Sequence, residues 1–316
     1  LMELNRQTAQ LEPMPASSAL PLSSPALVSD REGGLWITSV REGLFHWRSD
    51  ASVRRYSLGM KVGPPDPAMT GAYLDARQRL WVTHHGGFSV LEPGTDRLRS
   101  IEAYEGAKPF VFDLTQDVSP GPKGSLWIGT MKGVLNFNPE TGQVRRYQHE
   151  RGDDATLSDN YVLQTYTDKD GRLWVATRAG LNRLTTNGSD RPIFRRYGLD
   201  DGLPDITIEA IVSDAQGVLW VGTGSGIARW DPKQDRFQSY LPADGIPDTD
   251  INMKSALLSA DGGLYFGTLT GMWRIDPLAI QIAAPAPVVL SSYETGDQTT
   301  VNLQGKGLSG IKAKYS

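Results

Sequence analysis

The residues with chemistry to bind a ligand are few and regularly placed. Arg41, the pair His84-His85, Lys132 and Arg178 each fall three to five positions after a tryptophan, in four successive segments of similar sequence. Guanidinium and ammonium groups grip carboxylates and sulfates, with Arg able to do so bidentately. Phe110, Asn160, Tyr161, Asp250 and Asn252 stand in the loops that lead into the next segments, along with Thr70, Tyr73, Phe112 and Thr207. They add aromatic faces that stack on sugar rings and polar groups that pair with hydroxyls. Together the two sets suit an acidic oligosaccharide, whereas any one of them alone reads as a solvated loop residue. Adjacent histidines could hold a metal or share acid–base work. No further His or carboxylate stands at ligand spacing beside His84 and His85, so they read as polar contacts, with no catalytic residue, metal or cofactor assigned.

What must position these residues is an internal repeat. Trp36, Trp81, Trp127, Trp174, Trp220 and Tyr265 each follow a Leu, at spacings of 45, 46, 47, 46 and 45 residues. Each unit reads as four short strands, A to D. In the fourth unit they are predicted at 161–167, 173–177, 181–184 and 194–197, from alternating β-rich runs separated by turn residues. Asp30, Asp75, Asp168 and Asp214 lie six residues before their Trp, where a carboxylate accepts turn amides. Gly33, Gly124, Gly171, Gly217 and Gly262 stand in the same turn, where a positive φ is needed. These aspartates are hairpin chemistry, not a calcium site.

Strand B is apolar on both faces, so its sheet needs cover on both sides. Two positions after each aromatic the residue is small: Thr38, Thr83, Gly129, Ala176, Gly222 and Gly267, which lets a neighbouring sheet approach. Units of this length, with no helical periodicity, predict an all-β chain forming a β-propeller of four-stranded blades. Residues 1–14 align without a gap on the outer strands of a later unit, Leu1-Met2-Glu3-Leu4-Asn5 on Val134-Leu135-Asn136-Phe137-Asn138. That half unit favours seven blades over six and suggests a piece of a longer protein. Residues 15–280 hold six blades. Residues 281–316 hold a Pro-rich linker and a new strand-like run, the start of a further β domain. Because strands alternate in direction, B–C and D–A loops share one face and A–B and C–D turns the other. The candidate residues are therefore expected on the B–C/D–A face.

The bulk numbers exclude several classes. The 32 Lys and Arg against 36 Asp and Glu give a net charge of -4, with no general attraction to nucleic acid or anionic lipid. No run reaches the roughly 18 apolar residues of a membrane helix. With no cysteine, disulfides and thiol chemistry are absent.

The unit Asp168-Lys169-Asp170-Gly171-Arg172-Leu173-Trp174-Val175-Ala176-Thr177-Arg178-Ala179-Gly180-Leu181, with Gly202-Leu203-Pro204-Asp205 before the next strand A, resembles the two-component regulator propeller repeat. The likeness extends over residues 1–280. It implies the periplasmic sensor region of an inner-membrane bacterial receptor, a histidine kinase or diguanylate cyclase. In such receptors the propeller is succeeded by an Ig-like domain, here entered at Pro287-Val288-Val289-Leu290-Ser291-Ser292-Tyr293, and then by a membrane-spanning segment. The implied partners are a small-molecule or oligosaccharide ligand and, for signalling, a second copy of the receptor. Two other readings compete. Streptogramin lyases are also propellers with Gly-x-Leu-Trp-like units and use a His with a divalent metal. A flat loop face could instead hold another protein as a scaffold.

Overall fold

The computed structural model describes residues 2–5, 10–13, 20, 24–56, 68–186, 192–246, 251–269, 271–280, 292–294 and 300–302. The chain divides into two units, residues 1–277 and 278–316. In the second, Ser292–Glu294 pairs antiparallel with Thr300–Asn302. The rest of the predicted Ig-like entry lies outside the described residues.

The first unit is a propeller. Five blades are four-stranded antiparallel meanders in the order A-B-C-D. The fourth runs Val162–Thr167, Leu173–Thr177, Gly180–Thr186 and Pro192–Tyr197, within one residue of the predicted limits except where strands C and D each extend two residues further along their hairpin. The sixth has three strands, Ile251–Leu258, Leu264–Thr268 and Met272–Ile275. Strands A of successive blades pack side by side around a centre. From strand A of the sixth blade, the Lys254 ammonium donates to the Thr70 and Gln116 carbonyls of the second and third blades, which places all three strands around one axis.

The blade count is six, not the seven that the half unit favoured. Met2–Asn5 and Gln10–Pro13 do form a C–D hairpin, and Leu4 pairs with Leu11 as Phe137 pairs with Val144 in the third blade. Among the described residues the hairpin is a two-stranded sheet without inner strands, so it does not constitute a blade.

The turn chemistry goes further than the spacing implied. The Asp168 carboxylate accepts the backbone N–H of Asp170 and of Arg172, each at 3.0 Å, and also the indole N–H of Trp174 at 2.9 Å. Asp75 with Trp81 and Asp214 with Trp220 repeat that bond at 3.0 and 2.9 Å. One carboxylate thus closes the A–B hairpin and satisfies the buried polar atom of the core tryptophan. Gly171 has φ 77°, and Gln78, in the equivalent turn of the second blade, adopts the same left-handed region at 63°.

The small position after each Trp has the predicted cause. A Cβ on Gly129 would lie 2.8 Å from Val162 of the next blade, and one on Gly222 2.7 Å from Ile251. Trp81, Trp127, Trp174 and Trp220 are buried in the interfaces between blades, whereas Trp36 and Tyr265 are half-buried. At about 25 cal/mol/Å², a buried indole of ~200 Å² contributes up to about 5 kcal/mol, so these wedges carry much of the ring's cohesion.

Candidate functional site

The loops sort as the strand directions require. In the B–C loops of the second, third and fourth blades a backbone N–H donates to a carbonyl where the chain enters strand A: His85 to Ala68, Met131 to Leu114 and Arg178 to Tyr161. The geometry of that loop repeats as well. The hydroxyls of Thr130, Thr177 and Thr223 donate across the turn to the carbonyls of Gly133, Gly180 and Gly226, at 2.8, 3.0 and 2.9 Å. The opposite face is tied by its own contacts, among them Arg77 to Glu140 at 2.8 Å between the second and third blades.

The candidate residues divide by what they touch. Arg178 is exposed, and its guanidinium lies 3.8 Å over the Tyr161 ring. Among the described residues Arg178 and Arg41 form no ion pair, and both Arg41 and His85 are exposed. A guanidinium resting on an aromatic ring keeps its N–H edge free for an anion. This is the arrangement on the face best suited to bind one.

Other candidates are already engaged. His84 does not reach the rim. It is the last residue of strand B (Leu80–His84), only 5% exposed, with Nε2 3.0 Å from the Ser89 hydroxyl. Thr115 fastens it from the next blade, accepting the His84 backbone N–H and donating to its carbonyl at 2.7 Å. Burial lowers its pKa below the ordinary imidazole value. The sequence put both histidines in the loop because the strand ends between them.

Lys132 pairs at 2.7 Å with Asp113, which Arg146 also grips at 2.7 Å. Burial pushes the Asp113 carboxyl up, but the two cations outweigh it and hold it below the ordinary value. Phe110 is half-buried under Arg146, 5.1 Å edge-on to Phe112, which meets Phe88 in the core. Asn160 is a loop brace: its side chain accepts the His149 N–H at 2.8 Å and its carbonyl accepts that of Gly133. Asn252 is half-buried on strand A of the sixth blade, and Asp250 lies outside the described residues. Tyr73 belongs to the other face, near the end of Met69–Leu74 and opposite Trp81.

Sequence reasoning missed Asp113 and Arg146, which fix the 110–114 loop beside Lys132. An acid in a D–A loop facing a basic B–C loop was the available signal. It also missed Lys254, which lies close to the axis. Its ammonium stands 3.5 Å from Asp117, whose carboxylate in turn accepts the Thr165 N–H at 2.8 Å. Among the described residues no group of three or more His, Asp or Glu side chains could hold a metal ion, and no helix is long and apolar enough to cross a membrane.

Residues 156–179 and 202–225, the A–B portions of the fourth and fifth blades, match the two component regulator propeller family. Among curated proteins none matches in sequence. The fold is similar to that of the extracellular domain of a protein described as a hybrid two component system from B. thetaiotaomicron, with 22% identity and a TM-score of 0.69. That match covers 87% of this chain and 36% of the other, so the chain spans about a third of that extracellular domain's length. PorZ, a surface component of the type-IX secretion system of Porphyromonas gingivalis, matches at 19% identity and TM-score 0.64 over 80% of this chain and 38% of its own. A catalytically inactive virginiamycin B lyase from Staphylococcus aureus, with quinupristin, matches at 15% identity and TM-score 0.60 over 80% of each chain.

Proposed function

We propose that this chain, whose blades carry two-component regulator propeller repeats, is the extracytoplasmic ligand-sensing propeller of a bacterial transmembrane signalling receptor. It takes a carbohydrate or other small ligand on the B–C/D–A face. The observation that carries the reading is the Arg178–Tyr161 stack on that face, with Arg178 exposed and in no ion pair among the described residues. The stack offers an anion-gripping fork next to an aromatic ring, and Arg41 and His85 are exposed on the same face.

Such a module acts by binding, not by chemistry. The blades are braced to one another, so a ligand would move the ring as a rigid body rather than bend it. Movement is expected at the 281–287 linker leading to an Ig-like domain and membrane segment, or between two receptor copies.

A thermal-shift screen against neutral and acidic oligosaccharides tests the site. A ligand at 100 times its Kd adds about 2.7 kcal/mol to stability. Acidic ligands should shift Tm, and Arg41→Glu with Arg178→Glu should remove the shift. A shift that survives both reversals refutes the site. The lyase reading rests on the shared fold alone. It would replace the sensor reading if metal-dependent turnover of a streptogramin appeared and His85→Ala abolished it.

A further inference from the structure

The first blade departs from its sisters in a way that creates a second, separate site. In the fourth blade Trp174 is fully buried with two aromatic rings of the fifth blade against it, Trp230 at 5.1 Å and Phe237 at 6.4 Å, whereas Trp220 is fully buried beside Tyr240 of its own blade. The third blade puts Phe137 against Trp81 at 6.2 Å, and Phe194 of the fourth blade packs beside Trp127. The positions that correspond to Trp230 and Phe237 in the second blade are Leu91 and Leu98. At those two positions Trp36 of the first blade meets aliphatic side chains from its neighbour. It is half-buried, and a cavity of about 380 Å³ lies beside it, lined by Leu91 of the second blade.

The cavity has an aromatic wall and a lip of mixed charge, with Arg48 and Arg54 beside Glu92 and Asp96. His46 stacks on Trp36 at 3.8 Å with the rings 5° from parallel, and Tyr56 closes against Trp36 at 5.4 Å. His46 is held by Asp30 at 2.7 Å, so the wall is pre-set. Arg48 and Arg54 line the same space. Among the described residues Arg48 forms no ion pair within 4 Å, its charge acting on the exposed Asp50 carboxylate, and the only ion pair of Arg54 is with Asp96, which is 70% exposed. An exposed pair of that kind is held weakly enough for a ligand to displace it.

We propose that this cleft between the first and second blades binds a small flat ring bearing one carboxylate, with benzoate as the simplest example. The ring takes the place that Trp230 and Phe237 occupy between the fourth and fifth blades, and the carboxylate pairs with Arg48. The volume lies within the range of small-ligand pockets. The C–D turn of the second blade, Pro93 and Gly94, lines the cleft, which places it toward the face opposite the Arg178 site. The two sites are independent.

The test is ligand-observed NMR with benzoate and benzamide at low salt, on the intact chain. Benzoate should bind at least about tenfold more tightly, the size of one charge-assisted pair. Arg48→Gln should erase the difference between the probes. Leu91→Trp should abolish binding of both by filling the cleft as Trp230 does, with folding checked by a thermal melt. Equal binding of the two probes, benzoate binding unchanged in Arg48→Gln, or binding retained in folded Leu91→Trp would each overturn the proposal. If Leu91→Trp fails to fold, Arg48→Gln decides. Loss of binding in Arg178→Ala alone would assign the ligand to the other face, and the cleft would be discarded.

Discussion

Replacing Asp168 by Ala should be among the costliest single changes to a polar residue in this propeller. Its side chain is 1% exposed and accepts four hydrogen bonds, from the Trp174 indole, the Asp170 and Arg172 amides and the Arg172 guanidinium at 2.7 Å. Truncation leaves the indole N–H buried without a partner, which costs about 1–3 kcal/mol. Water can reach the two amides and Arg172, so their loss adds about 1 kcal/mol. The expected total is about 3 kcal/mol. Asp170→Ala is the control, because that carboxylate is 53% exposed and its pair with Arg172 is worth about 0–1 kcal/mol. Urea unfolding at neutral pH, monitored by circular dichroism, gives both values provided the slopes agree. Trp174→Phe keeps the bulk and removes the N–H, so a double-mutant cycle with Asp168→Ala should show a coupling of about 1–2 kcal/mol. If Asp168→Ala costs no more than Asp170→Ala, or the coupling is zero, the carboxylate is only a turn residue and the argument fails.

The same geometry leads to three further outcomes. His84 is buried with its pKa below the 6.5 of a free imidazole, so the unfolded chain takes up the proton first. Stability should therefore fall as pH drops below about 6.5, and His84→Gln should remove that slope in denaturation midpoints measured across the range. Burial pushes Asp75 up, but the Trp81 indole and Arg79 outweigh it and hold it below 3.8. Its stabilisation is complete above that value and lost as pH falls through its own lower pKa, which Asp75→Asn should show as reduced acid sensitivity. Gly180→Ala should cost about 3 kcal/mol, since φ is 111° and the new Cβ would stand 2.5 Å from the Tyr197 carbonyl.

The repeat could be read because every blade solves the same local problem with the same residues. A Leu-Trp pair, a small residue two places later and an Asp six places before are short-range demands, and all of them register in a linear string. The strand limits of the fourth blade and the sharing of a face by B–C and D–A loops came from that alone. The Asp-to-indole bond was also written there, in the six-residue offset, but only the folded chain turned a turn residue into a partner of the core.

What the tertiary structure decided concerns pairs of residues far apart in sequence. Whether a basic loop residue is free or neutralised depends on what a neighbouring loop presents, so Lys132 met Asp113 while Arg178 came to rest on Tyr161. His84 and His85 are adjacent in the chain, yet strand alternation sends one to Ser89 inside and leaves the other outside. The count of blades likewise depended on whether an outer hairpin had inner strands to complete its sheet. The residue types and their spacing dictated the blade. Packing between blades, where Leu91 and Leu98 of the second blade meet Trp36 of the first, decided which of the repeated tryptophans is left half-buried beside a cleft.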